Sequence, residues 1–173
     1  YCGGFILLGP EIGRLMLTVA LVTVPFAVFV AFVRLPSWYL AVVCFTYAVT
    51  MLSFARAATT DRGIVPRRLE PCDNPPIYKE ATHPVSGATL QCRFCHTCNV
   101  YRGPRTHHCS ICNNCVDLFD HHCPWIGSCV GAYNYHTFLH FVHGVNALGL
   151  LTAIGTAYAV YHHSAANEVS IVD

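Results

Sequence analysis

Between Cys95 and Cys129 the sequence reads CHTCNVYRGPRTHHCSICNNCVDLFDHHCPWIGSC, and sliding it by fourteen residues lays one set of metal-ligand types on another. Cys95 falls on Cys109, Cys98 on Cys112, His108 on His122 and Cys115 on Cys129, each set with the spacing C-x2-C-x9-H-x6-C. Three sulfurs and one imidazole nitrogen suit a closed tetrahedral zinc site, so the two interleaved sets predict two structural Zn2+ ions per chain. Seven of the eleven cysteines lie between Cys92 and Cys123. Repeated C-x-x-C pairs with histidines nearby favour zinc over disulfides and imply a reducing, cytosol-facing compartment. Cys92 also pairs with Cys95 at this spacing and is the alternative to Cys98, but the repeat has no counterpart for it.

The repeat isolates one thiol. His107-His108-Cys109 recurs as His121-His122-Cys123, yet Cys109 starts a ligand set with Cys112, whereas Cys123 has Ile126 at the equivalent position. Cys123 is therefore left without a metal, on a loop bounded by the ligands His122 and Cys129. A thiol is only a few per cent thiolate at neutral pH, so a neighbouring base has a clear task. Register gives His122 to the metal and leaves His121 as the base, with Asp120 to orient it and stabilise its imidazolium while Cys123 attacks. The reverse assignment, His121 on zinc and His122 as base, breaks the repeat. A buried core cysteine is the bland alternative for Cys123.

The elements that must hold this segment are apolar. Of 173 residues, 54% are hydrophobic and 11% charged, the balance of a membrane protein rather than of an ordinary soluble domain. Leu15 to Val33 is uncharged and close to the roughly 20 residues needed to cross a hydrocarbon core. Pro25 inside it is tolerated in a membrane helix. After the turn RLPS a second uncharged run, Trp38 to Ala55, completes a helical hairpin, with Trp38 and Tyr39 placed for an aromatic belt. A third apolar run, Phe138 to Tyr161, contains His140, His143 and Asn146, for which a bundle-facing or interfacial role is expected. Eight of the ten Lys and Arg lie between Arg56 and His136, and none follows Tyr161. The positive-inside bias then predicts a cytosolic middle segment and amino terminus, with the final tail across the membrane.

The expected organisation is an amino-terminal transmembrane hairpin (1–57), a cytosolic cysteine-rich zinc domain (58–136), a third transmembrane helix (137–163) and a lumenal tail (164–173). The fold class expected is an all-α polytopic membrane protein with an irregular cysteine-rich domain on two zinc sites. The chain begins with Tyr, not Met, and reads as a fragment. Cys2 and Cys72, near expected membrane boundaries, are spare thiols or acylation sites, and Cys44 is assigned to helix packing.

From Leu15 to the end of the third helix the sequence resembles the DHHC family of protein S-acyltransferases, the palmitoyltransferases. The resemblance rests on the two ligand sets, on DHHCPW at Asp120 to Trp125, and on GAYNYHTF at Gly131 to Phe138, which fits G-x-x-N-x-x-x-F. TTDRGIVPR from Thr59 is similar to the D-P-G motif after the family's second helix, with Arg62 where proline is usual. Ser128 stands where asparagine is frequent, and Tyr133 and His136 where basic residues are common. Four helices and a T-T-x-E motif are typical of the family, so the fourth helix and that motif are expected to be missing here.

The resemblance implies that Cys123 attacks a long-chain acyl-CoA such as palmitoyl-CoA, carries the acyl group as a thioester, and passes it to membrane-proximal cysteines of substrate proteins. The lipid bilayer is the other implied partner, and the Golgi or endoplasmic reticulum the implied location, with the plasma membrane as the alternative. A net charge of +1 gives no reason to expect nucleic-acid binding. A membrane-anchored, RING-like recruiting module would leave Asp120, His121 and Cys123 without a task. A zinc transporter needs acids or histidines along its helices, and the first two apolar runs have none.

Overall fold

The computed structural model describes residues 7–70, 72, 74–82 and 85–169. Cys2 and the last residues of the expected tail lie outside them. Three helices dominate: α1 (Ile12–Phe32), α2 (Ser37–Thr59) and α3 (Tyr135–Val169). Each contains a segment long and apolar enough to cross a membrane. Leu17, Leu21, Val24 and Val28 of α1, with Phe45 and Leu52 of α2, are exposed on the outer faces. Water would penalise that surface, whereas lipid tails are as apolar as the side chains.

Phe29, Val43 and Leu148, one from each helix, meet in a shared core. The Phe26 and Tyr47 rings stack with centroids 3.9 Å apart, and the Tyr39 hydroxyl donates to the Leu151 carbonyl at 2.7 Å. A Cβ at Gly144 would lie 2.5 Å from Thr50 Oγ1, so a side chain there would push α2 and α3 apart. Small residues at such crossings allow the van der Waals packing that holds membrane helices together. α3 runs past residue 163 into the stretch expected to be a tail.

The cysteine-rich segment corrects the expectation of an all-α protein. Among the described residues it holds eight strands: β1 (Ile64–Val65), β2 (Tyr78–Thr82), β3 (Thr89–Cys95), β4 (Val100–Arg102), β5 (His107–Cys109), β6 (Asn114–Val116), β7 (His121–Cys123) and β8 (Ser128–Val130). They form small antiparallel sheets in the orders β1-β6-β5, β2-β3-β4 and β7-β8. Most of the strands are three residues long or shorter, too brief to leave a period-2 pattern, and ligand cysteines take the positions that apolar residues would mark.

The fourteen-residue sequence repeat corresponds to three equivalent hairpins. Cys95 pairs with Val100, Cys109 with Asn114 and Cys123 with Ser128, each fourteen residues after the last. Each turn has one left-handed residue at the same place: Asn99 (φ 57°), Asn113 (φ 51°) and Gly127 (φ 66°). The third is glycine, which suits the positive φ and the close approach of the chain entering α1: a Cβ on Gly127 would lie 3.0 Å from the Glu11 carbonyl oxygen.

The junctions with the helices use the motifs noted in the sequence. Asp61 Oδ1 accepts the backbone N–H groups of Gly63 (2.9 Å) and Ile64 (3.1 Å), closing the turn after α2. Asn134 is fully buried: Nδ2 donates to the carbonyls of Ala57 (3.0 Å) and Cys129 (2.9 Å), and Oδ1 accepts the Gly131 N–H (2.9 Å). One side chain thus joins the end of α2, β8 and the entry to α3. One expectation changes: Cys44 is exposed on the outer face of α2. His140, His143 and Asn146 are exposed in the first turns of α3, which leaves the interfacial one of their two expected roles.

Candidate metal centres and nucleophile groove

Each of the two ligand sets gathers at one point. Cys95, Cys98, His108 and Cys115 form one group of donor atoms within 4.8 Å of one another, and Cys109, Cys112, His122 and Cys129 form the second. The hairpins explain the interleaving. A turn contributes two cysteines, and the cross-strand pair of the next hairpin, His108 with Cys115 or His122 with Cys129, contributes the other two ligands. Cys92 is buried on β3 opposite Lys79 and belongs to neither group.

The donor geometry suits a metal. In the first cluster His108 Nδ1 lies 3.3 Å from Cys98 Sγ and 3.8 Å from Cys115 Sγ. In the second, His122 Nδ1 lies 3.4 Å from Cys112 Sγ and 3.6 Å from both Cys109 and Cys129 Sγ. Zinc–sulfur bonds of about 2.3 Å and zinc–nitrogen bonds of about 2.0–2.1 Å set the tetrahedral N···S edge at about 3.6 Å. The electrostatics point the same way. Burial, then the nearby Arg67 and Arg102, pull His108 below the ordinary imidazole range, favouring the neutral form that ligates. The contact with Cys129 pulls Cys112 down to about 5, while that same contact pushes Cys129 far above the ordinary thiol range. Holding three crowded sulfurs as thiolates together requires a positive charge among them, which a divalent ion supplies.

Cys123 is 5% exposed and belongs to neither group of donor atoms. Successive side chains of a strand point to opposite faces, so β7 sends His122 one way and His121 with Cys123 the other. On that other side is an open groove of about 390 Å³, where His121 and Cys123 meet Phe138, Phe141, Val142 and Val145 of α3. A second cavity, of about 170 Å³, shares Val22 and Val145 with it and continues between α1 and α3. His121 Nδ1 lies 3.0 Å from Asp120 Oδ2, which leaves Nε2 for a proton elsewhere. Ile126, standing where a second cysteine would be, is fully buried with Cys123 among Phe54, Ala57, Val130 and Phe141. The hairpin of the unpaired thiol is thereby seated on the helices.

Several contacts escaped the sequence. Glu11 Oε2 lies 2.8 Å from His122 Nε2, and the Thr18 hydroxyl donates to the Trp125 carbonyl at 2.7 Å, both across more than a hundred residues. Arg62, buried, donates from Nη1 to Ser128 Oγ. These are two of the positions at which the chain differs from the pattern it resembles, and here they touch. Ser128→Ala and Arg62→Met are accordingly expected to be non-additive, with a coupling of about 0.5–3 kcal/mol in a double-mutant cycle on the unfolding of the detergent-solubilised chain. Additive effects would mean that the contact has no energetic weight.

Comparison with known proteins gives a family model, DHHC palmitoyltransferase, matching residues 88–172. Among similar curated proteins, Protein S-acyltransferase 8 of Arabidopsis thaliana is 38% identical over 146 residues, 68% of this chain and 36% of that protein. Probable protein S-acyltransferase 2 of the same plant is 35% identical over 147 residues, 69% of this chain and 36% of the relative. Putative ZDHHC-type palmitoyltransferase 1 of Dictyostelium discoideum is 34% identical over 166 residues, 89% of this chain and 37% of the relative. The chain spans a little over a third of the length of these relatives.

Proposed function

Because the chain belongs to the DHHC palmitoyltransferase family, we propose that it transfers a long-chain acyl group from acyl-CoA to cysteines of substrate proteins through a thioester on Cys123. The observation that carries this reading is the alternation of β7, which puts Cys123 and His121 together in an apolar groove and turns His122 to the metal cluster.

In the first half-reaction His121 Nε2 takes the Cys123 proton, and the sulfur adds to the acyl carbonyl. Collapse of the tetrahedral intermediate breaks the carbon–sulfur bond to CoA, whose leaving thiolate receives the proton from His121. Asp120 holds the ring through Nδ1 and stabilises its charged form. In the second half-reaction His121 deprotonates the substrate cysteine, and Cys123 leaves as the thiolate and is reprotonated. Each step exchanges one thioester for another, so little driving force is required. Burial contributes about 0.8 kcal/mol per methylene, which favours an acyl tail lying along Phe138, Phe141 and Val145.

Cys95, Cys98, His108 and Cys115 would hold one zinc ion, and Cys109, Cys112, His122 and Cys129 the other. Both would be structural, fixing the hairpins that carry the reacting residues. The basic middle segment supports an orientation with the groove at the cytosolic face of an endomembrane. Intact-mass analysis after incubation with palmitoyl-CoA is expected to give one hydroxylamine-labile acyl adduct per chain. Absence of any adduct, with both zinc ions bound, would refute the proposal for this chain.

A further inference from the structure

The two metal clusters differ in what stands behind the histidine. His122 presents Nδ1 to the three sulfurs and Nε2 to Glu11. Glu11 divides its carboxylate: Oε2 meets His122 at 2.8 Å and Oε1 meets Arg14 at 2.8 Å. Both partners of the first contact are shielded, His122 at 9% side-chain exposure and Glu11 at 19%. The Glu11 carbonyl also accepts the N–H groups of Arg14 and Leu15, starting α1. His108, by contrast, is approached by the cations Arg67 and Arg102, and among the described residues no carboxylate is paired with it.

We propose that Glu11 is a positioning residue for the second metal centre, holding His122 in the tautomer that presents Nδ1 to the metal and tying the nucleophile's hairpin to α1. This rests on reading that cluster as a zinc site. A carboxylate accepting the far ring N–H fixes the orientation of a ligating histidine and raises its donor strength. The surrounding contacts act in the same sense. Thr18 holds the Trp125 carbonyl, and a Cβ on Gly9 would fall 1.7 Å from the Gly127 carbonyl oxygen, so the chain before α1 lies directly on the turn after Cys123. His122 stands between His121 and Cys123 in β7, so the roll of that strand follows the seating of its ring. A residue at the start of the first membrane helix thereby sets the attitude of the groove-facing pair.

The test uses the full chain in detergent, loaded with 113Cd for NMR and with zinc for release to a chelator. The parent is expected to show two cadmium resonances. Glu11→Gln, which keeps the volume and removes the charge, should move one resonance and leave the other, and should speed release of one zinc by about 10- to 100-fold. Glu11→Ala should have the larger effect on the same ion. Arg14→Ala, which removes only the carboxylate's other partner, should leave both resonances in place. The proposal is overturned if Glu11→Gln moves neither resonance or both, or if Arg14→Ala reproduces the faster release. A parent that binds no metal at this cluster would fail at the earlier step, the zinc reading itself, and take the proposal with it.

Discussion

Cys123→Ser is expected to abolish acyl transfer while leaving both zinc ions in place. A serine hydroxyl is far less acidic than a thiol, so His121 has a much harder deprotonation to assist. An acyl group that did reach serine would be held as an oxyester, resistant to hydroxylamine and a poorer donor to the next thiol. The metal content should not change, because Cys123 lies in neither group of donor atoms. Folding should be nearly unaffected as well, since serine is close to cysteine in size and shape and the fully buried Ile126 still anchors the hairpin. The measurement is intact mass with peptide mapping, alongside elemental analysis for zinc. Hydroxylamine-labile acylation persisting in the cysteine-rich segment of the mutant would place the nucleophile elsewhere.

The second large effect separates two adjacent histidines. His122→Ala should release one of the two zinc ions and loosen the β7–β8 hairpin, since the remaining three ligands of its cluster are all cysteines. His121→Ala should keep both ions and slow acyl loading by about 10²-fold or more, the usual range for loss of a positioned general base. Asp120→Asn should follow His121→Ala in metal content, because its contact is with the His121 ring and not with a cluster. Zinc counts and single-turnover acylation on the same preparations decide the matter. A zinc lost from His121→Ala, with both retained in His122→Ala, would reverse the register.

The ligand sets were legible because their spacing is set by the hairpins themselves. A fourteen-residue offset in the sequence is the same offset in the strand register, so cysteines and histidines that superpose on paper also superpose in space. The helices were legible because uncharged runs of such length have few other uses. Strands of three residues were not, since they are shorter than any pattern that could mark them. Nor could the sequence reveal Glu11: the residue is 111 positions from His122, and nothing near either one names the other. The pairing of Arg62 with Ser128 was half visible, as two separate departures from a pattern. Only their contact makes them one feature.

The third hairpin has a consequence for how a reactive thiol can arise. In two copies of the turn the first cysteine belongs to a group of donor atoms that could hold a metal, and a second cysteine three residues on completes the pair. The third copy keeps the backbone, down to the left-handed residue, and substitutes isoleucine for the second sulfur. Its cysteine therefore inherits a scaffold shaped for gripping a cation without a cation to grip. On the proposed reading, nucleophilicity here is obtained by subtraction: a lone pair that the same architecture would spend on a metal elsewhere is left available for carbon.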